Sequence, residues 1–236
     1  MSARQWLAFD TITEVLSIGV AANGRTDVRT QAGGAQASAA LIPTAMDMLA
    51  QAGVGLPQLD AIVFGRGPGS FTGLRTACAV AQGLAFGADI PVLPVDTLLA
   101  VAEEARGLAG VNDQPLTVLV LLDARMDEVY SAAYDWDGQR WTVRQPLQVL
   151  APQRVLAPDA HRLLLAGNAF EAYGQRLPAG ERVQALPTAA ALLRLAPALF
   201  AAGQAVPAEQ AMPLYIRDKV AQTTAERAAA KATGTP

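Results

Sequence analysis

Apolar and polar positions follow two periods along the chain, and the switches between them mark the elements. Trp6 to Asp10 is a short apolar run that stops on a carboxylate, Thr11 to Thr13 is turn-prone, and Val15 to Val20 is a second β-compatible run. The chain therefore opens with a predicted hairpin. Asn23-Gly24 supplies the next turn, because both residues tolerate positive φ, and Asp27 to Thr30 reads as a third strand with a weaker pattern before Gly33-Gly34 breaks it. From Ser38 to Ala52 the period changes: Leu41, Ala45, Met48 and Ala52 recur at three- and four-residue steps while Ile42, Met46 and Leu49 fill a neighbouring stripe. This predicts a helix apolar around more than half its girth. Pro43 is expected in its first turn, where a missing N–H costs little, which puts the start near Ala40 to Pro43. Gly53 and Gly55 end it.

A strand at Ala61 to Gly65, a glycine-rich loop at Gly67 to Gly73, a small-residue helix at Thr72 to Phe86, a strand at Pro91 to Val95 and a helix at Thr97 to Leu108 follow. Strand and helix in that alternation imply βαβ units and parallel pairing, hence an α/β fold. After Gly107 to Pro115 the pattern restarts, with strands at Leu116 to Leu122, Val129 to Tyr134 and Trp141 to Val149, and with Asp137-Gly138 turning the last pair. Asp10 followed by Glu14-Val15-Leu16-Ser17 reappears as Asp123 followed by Glu128-Val129-Tyr130-Ser131, at shifts of 113 and 114 positions, so one residue is inserted in the second copy. Two lobes of one ancestry are expected, residues 1–108 and a smaller, degenerate 109–220, with 221–236 as a tail. Leu163 to Ala166 and helices near Ala169 to Leu177 and Thr188 to Ala202 fit a trimmed second lobe whose glycine loop is absent.

The 236 residues are enough for folding to bury roughly 70% of the unfolded chain's surface. With 17% charged residues and a net charge of −3, the chain is neither an acidic disordered segment nor a strongly basic nucleic-acid binder. Cys78 is the only cysteine and His161 the only histidine, so no intrachain disulfide and no Cys/His metal cluster can form. Met1 to Asp10 holds no signal-type apolar core, and no apolar stretch approaches the roughly 20 residues of a bilayer crossing, so a soluble, cytoplasmic protein is expected.

The sharpest local pattern is Gly65-Arg66-Gly67-Pro68-Gly69-Ser70-Phe71-Thr72-Gly73, running off a strand into a helix. Amides of Gly67, Gly69, Ser70, Thr72 and Gly73, added to the helix dipole, could favour a phosphate. The same residues could equally shape a tight turn, with Ser70 or Thr72 capping the helix at about 1 kcal/mol. Neither a Walker A sequence nor G-x-G-x-x-G is present, and a nucleophile elbow at Ser70 would need Gly where Pro68 stands. Asp10, Thr11 and Thr13 at the first hairpin could hold a metal–phosphate group or satisfy turn amides. Asp96 is a distant candidate partner for Asp10 in acid/base work, and Arg125, Asp127 and Glu128 form a charged hairpin tip. Gly73, Ala77, Ala81 and Ala85 make a small-residue face on the second helix.

Trp6 to Val20, GRGPGSFTG at Gly65 to Gly73, LDARMDEVY at Leu122 to Tyr130 and PLYIR at Pro213 to Arg217 together resemble the bacterial TsaB (YeaZ) family. The resemblance implies the duplicated actin-like, Hsp70-like, sugar-kinase-like ATPase fold, two lobes with mixed central sheets. It implies a non-catalytic subunit of the machinery that forms threonylcarbamoyladenosine in tRNAs reading codons that begin with A. In that family the transfer is made by a paralogue, TsaD, with the ATPase TsaE, and TsaB is the dimerization partner of TsaD or of a second TsaB. TsaD carries a metal-binding histidine pair where this chain reads Pro94-Val95-Asp96-Thr97-Leu98-Leu99, without histidine. Many relatives also begin the first long helix with His-Ser or His-Thr, where this chain has Ala37-Ser38. Relatives pair through the first two helices, which points to Leu41, Ala45, Met48, Gly73, Ala77 and Val80 as interface residues. No tightly bound cofactor or metal is expected, and ATP or ADP would sit where the chain meets its partners. The competing expectation is a self-standing ATPase or kinase-like phosphotransferase built on Asp10 and the glycine loop; a peptidase lacks a Ser/His or metal constellation.

Overall fold

The computed structural model describes residues 4–216; the expected tail and the last four residues of the second lobe lie outside them. In the first half, strands β1 (Trp6–Asp10), β2 (Val15–Ala22) and β3 (Arg25–Ala32) form a meander, followed by α1 (Ala37–Ala52), β4 (Ala61–Gly67), α2 (Phe71–Ala88), β5 (Val92–Asp96) and α3 (Thr97–Leu108). The second half runs β6 (Leu116–Arg125), β7 (Glu128–Trp136), β8 (Trp141–Leu150), β9 (Leu163–Gly167), the one-turn α4 (Phe170–Tyr173), β10 (Glu181–Gln184) and α5 (Ala189–Ala201).

Each half builds one five-stranded sheet, ordered β3-β2-β1-β4-β5 and, from the corresponding edge, β8-β7-β6-β9-β10. In both, the first three strands pair antiparallel and the last two join in parallel. The repeat is thus one of topology. It is not a repeat of register at the residues that suggested it: Asp10 stands opposite Ser17, whereas Asp123 stands opposite Val129 and Ser131 opposite Leu121.

In the central strands β1, β4 and β6 side chains alternate between two covered faces, which is why these strands read as continuous apolar runs. Leu7 and Phe9 pack under α1 and α2, while Trp6 and Ala8 meet α5 on the other side. In the second sheet Val118, Val120 and Leu122 pack on α3, and Leu119 and Leu121 face Ala169 and Leu177. Helix α3 touches both sheets, and α5, from the second half, lies beside it on the first. Among the described residues no helix is long and apolar enough to cross a membrane.

Two expectations are corrected, and one strand was not anticipated. Helix α1 starts at Ala37, so Pro43 lies inside it rather than in its first turn. Its missing N–H leaves the Ala39 carbonyl without a helical donor, and both residues are exposed, so water can serve that carbonyl. Strand β3 is eight residues long because Asn23 (φ 53°) and Gly24 (φ 73°) make a two-residue turn that carries pairing from Ala22–Arg25 to Val15–Ala32. The polar strand β10 carried no alternation to find, since only Val183 packs inward.

The shared helix layer is pinned by a buried charge. Glu103 of α3, 2% exposed, accepts from Arg106 (2.7 Å), Arg194 of α5 (2.6 Å) and the Trp141 indole of β8 (3.0 Å). Burial pushes its pKa up, but the hydrogen bonds from Arg106, Trp141 and Arg194 outweigh burial and hold the carboxyl below the usual glutamate range. A carboxyl with a lowered native pKa stabilises the fold fully above the ordinary carboxylate range and loses that contribution as pH falls through its native pKa. Glu103→Gln should therefore cost about 1.5–3 kcal/mol at neutral pH by weakening the charged hydrogen bonds from Arg106 and Arg194, of which Arg194 keeps Glu104. In urea titrations from pH 7 to pH 3, the gap between variant and parent is expected to narrow.

Candidate functional site

Three of the four distinctive motifs meet at the carboxyl ends of β1 and β4. The glycine loop lies directly on the β1–β2 connection, and it does so because side chains are missing. A Cβ on Gly69 would fall 1.6 Å from Ile12 Cγ2, one on Gly73 would fall 2.1 Å from the Thr11 carbonyl oxygen, and one on Gly65 would fall 1.9 Å from Asp10 Oδ2. Gly67, at φ +113°, precedes a cis peptide to Pro68. The chain's last described segment closes the other side, with the Leu214 N–H donating to the Arg66 carbonyl (2.7 Å) and Tyr215 packed on Phe71 at 5.7 Å. Arg75 stacks on Phe71 at 3.8 Å and donates to the Tyr215 hydroxyl at 3.2 Å. Arg217, the last residue of the PLYIR motif, lies outside the described residues.

The donors that might have cradled a phosphate are largely spent on the protein. The Gly67 N–H donates to Thr97 Oγ1 (3.1 Å), the Ser70 N–H to the Ile12 carbonyl (3.0 Å), and the Gly73 N–H to Ser70 Oγ (3.5 Å), which makes Ser70 the α2 cap. The Thr11 hydroxyl donates to the Gly73 carbonyl at 2.7 Å, and the Thr13 hydroxyl accepts the Val15 N–H at 3.2 Å within its own turn. Thr72 is exposed on the first turn of α2. Asp10 is fully buried; Oδ1 accepts the Ile12 N–H at 2.9 Å, and Oδ2 has no partner among the described residues. Burial raises its pKa to about 7 against the pull of that amide. The Thr11 and Thr13 hydroxyls beside this buried carboxyl are engaged within the fold. The Asp96 carboxylate pairs with Arg66 at 2.6 Å.

Across a cleft of about 580 Å³ stands the β6–β7 tip, which contributes Asp123, Arg125 and Met126 to the lining opposite Thr13, Gly69 and Ser70. Asp123 repeats the role of Asp10: its Oδ1 accepts the Arg125 N–H at 2.8 Å, two residues on. It also accepts from the Tyr173 hydroxyl (2.9 Å), while its own N–H donates to Asn168 Oδ1 (2.9 Å). Arg125, Met126 and Asp127 all have φ near +60°, and Asp127 is gripped by both terminal nitrogens of Arg176. Sequence reasoning named the charged tip but missed Asn168, Tyr173 and Arg176, whose partners lie dozens of positions away.

The proposed interface residues need correction. Leu41, Ala45, Met48 and Ala77 are at most 1% exposed, Gly73 is buried, and Val80 is half-buried against the same core under α1 and α2. None of the five buried residues can meet a partner, because the first sheet claims that stripe. The outward stripe of α1 instead carries Ala39, Ile42 (41% exposed), Met46 (41%) and Ala50, and that of α2 carries Ala79, Gly83 and Phe86 (74%).

Comparison with known proteins gives three kinds of likeness. The family model for TsaD, tRNA N6-adenosine threonylcarbamoyltransferase, matches residues 22–230. A tRNA threonylcarbamoyladenosine biosynthesis protein TsaB of Escherichia coli is 34% identical over 226 residues, covering 91% of this chain and 95% of the relative. That of Haemophilus influenzae is 33% identical with coverage of 91% and 94%. Among solved structures, YeaZ from Pseudomonas aeruginosa superposes with a TM-score of 0.83 at 39% identity, covering 91% of this chain and all of the other.

Two outcomes test this geometry. Gly73→Ala should cost about 2–3 kcal/mol, since a backbone oxygen rather than a flexible side chain is in the way; the melting temperature falls by about 4–12 °C, whereas Ser70→Ala loses under about 1 kcal/mol. Folding raises the Asp10 pKa from 3.8 to about 7, so between those values the native state holds a proton that the unfolded chain has released. Native stability from this group therefore declines as pH rises through that window. Asp10→Asn is expected to gain stability relative to the parent between pH 4.5 and 7.5, read from urea midpoints.

Proposed function

Because the chain belongs to the TsaB family, whose place is in tRNA threonylcarbamoyladenosine biosynthesis, we propose that it acts there as a non-catalytic, dimerizing subunit that binds and supports the catalytic paralogue TsaD together with TsaE. The observation that carries this reading is the outward stripe of α1 and α2. Two adjacent helices expose Ile42, Met46 and Phe86 among small residues, on the side away from the core that their buried stripes cover. Small and apolar side chains in that arrangement suit close packing against helices of another protein.

The family model bears the transferase's name, so scaffold and enzyme have to be weighed. Where the transferase has its histidine pair, this chain has Asp96 tied to Arg66 and Thr97 holding the Gly67 amide. Several first-lobe groups that a phosphotransferase would need, the Thr11 hydroxyl and the Gly67, Ser70 and Gly73 amides, are likewise engaged within the fold. Both observations support a subunit that retained the architecture and uses it to present a surface. In this reading ATP or ADP belongs to the joint with the partners, tRNA is reached through the complex, and a lone chain pairs with itself.

Met46→Asp and Ile42→Asp are expected to abolish co-elution with TsaD and the tRNA modification that TsaD, TsaE and this chain support together, while shifting the melting temperature little. Leu41→Asp should instead unfold the chain. Intact co-elution with both surface variants, or modification of tRNA by this chain alone, would overturn the reading.

A further inference from the structure

Several arginines lie over aromatic rings, and among the described residues all but one of them are also spent elsewhere in the fold. Arg4, over Trp6 and Phe200, meets Asp60, and Arg106, over Trp136, holds Glu103. Arg176, over Tyr173, grips Asp127, and Arg182, over Phe170, donates to the Gly174 carbonyl. Arg75 differs. Its guanidinium carbon lies 3.8 Å from the centre of the Phe71 ring and its Nε donates to the Tyr215 hydroxyl at 3.2 Å, while its two terminal nitrogens have no partner among the described residues.

The two rings that Arg75 joins do not fill a core. Phe71 is 38% exposed and Tyr215 48%, with centroids 5.7 Å apart. The segment that carries Tyr215 is held by other bonds: the Leu214 N–H donates to the Arg66 carbonyl at 2.7 Å, and the Cys78 thiol donates to the carbonyl of the buried Ala211 at 3.2 Å. Tyr215 therefore arrives 140 positions after Arg75 with its hydroxyl fixed and much of its ring open. Open rings beside an uncommitted guanidinium match a nucleotide, because an aromatic face takes a base by stacking and the planar fork takes the phosphate next to it.

We propose that Tyr215, backed by Phe71, stacks a nucleobase from a single-stranded part of an RNA, and that Arg75 meets the adjacent phosphate. The proposal rests on the reading of this chain as a subunit of a tRNA-modifying assembly, and it gives the chain a contact of its own with that RNA. Charge and surroundings favour this occupant over a protein segment. A chain with a net charge of −3 has no general basic field for a duplex backbone, whereas stacking needs a ring and few cations. No carboxylate pairs with Arg75 among the described residues, so a phosphate displaces nothing. Ser70 and Thr72, exposed on either side of Phe71, keep the rim polar rather than apolar. Phe71 is the first residue of α2 and Phe86 lies about 22 Å along the same helix, so the platform and the far end of the proposed TsaD surface can be altered separately.

The test titrates the full chain with a short labelled single-stranded RNA and with the same RNA as a duplex, read by fluorescence anisotropy. The single strand should bind more tightly than the duplex. Tyr215→Ala should weaken single-strand binding at least about fivefold, and Tyr215→Trp should retain it. Arg75→Gln should weaken it and flatten the slope of log affinity against log salt by about 0.7, with melting curves confirming the fold of each variant. In the assembly with TsaD and TsaE, Tyr215→Ala should co-elute as the parent does yet bind tRNA at least about fivefold more weakly. Equal affinity of parent and Tyr215→Ala, equal affinity for strand and duplex, or no binding of either would overturn the proposal and leave the reading of TsaD binding untouched. Loss of TsaD co-elution in both Tyr215→Ala and Arg75→Gln would overturn it too, by making the platform a protein contact. Failure of the parent chain to co-elute with TsaD would instead sink that reading, while the titration of the chain alone still decides this one.

Discussion

Backbone approaching backbone, at positions where no side chain intervenes, organises the first half of this molecule. Gly65, Gly69 and Gly73 let the loop after β4 settle onto the end of β1, and the contact fixes where α2 begins and which of its faces meets the sheet. Any Cβ there would meet a backbone oxygen, a buried carboxylate or an isoleucine that the core holds in place. The tolerance of glycine is needed at these three positions less for unusual φ angles, which in this loop only Gly67 shows, than for the missing atom itself.

That constraint also explains why a loop with the look of a phosphate cradle turns several of its amides inward. Amides packed this closely against another strand find acceptors within the protein, as those of Gly67, Ser70 and Gly73 do. Asp10 at the end of β1 and Asp123 near the end of β6 share one job, each accepting the amide two residues on, so a motif shared by the two halves records a turn device.

Much of this was legible in the sequence. Asn23-Gly24, Gly53 and the period changes placed the first-half elements closely, and the two halves announced the duplication. What escaped reading depends on which neighbour a residue finds. A helix apolar around most of its girth does not say which stripe a sheet will claim, so Leu41, Ala45 and Met48 were given to a partner when the strands beneath them had the prior claim. Strand β10 lacked a pattern, and the tip-holding residues Asn168, Tyr173 and Arg176 act across distances that no local spacing records.

The seat of α5 on the first sheet has a bearing on how the molecule is made. Trp6 and Ala8 belong to the opening strand, yet the residues that cover them, Ala189 to Ala196, are among the last of the described chain to leave the ribosome. Until they emerge, one side of the amino-terminal layer has to wait in water or on a chaperone. Closure of that side of the core therefore follows the making of both sheets.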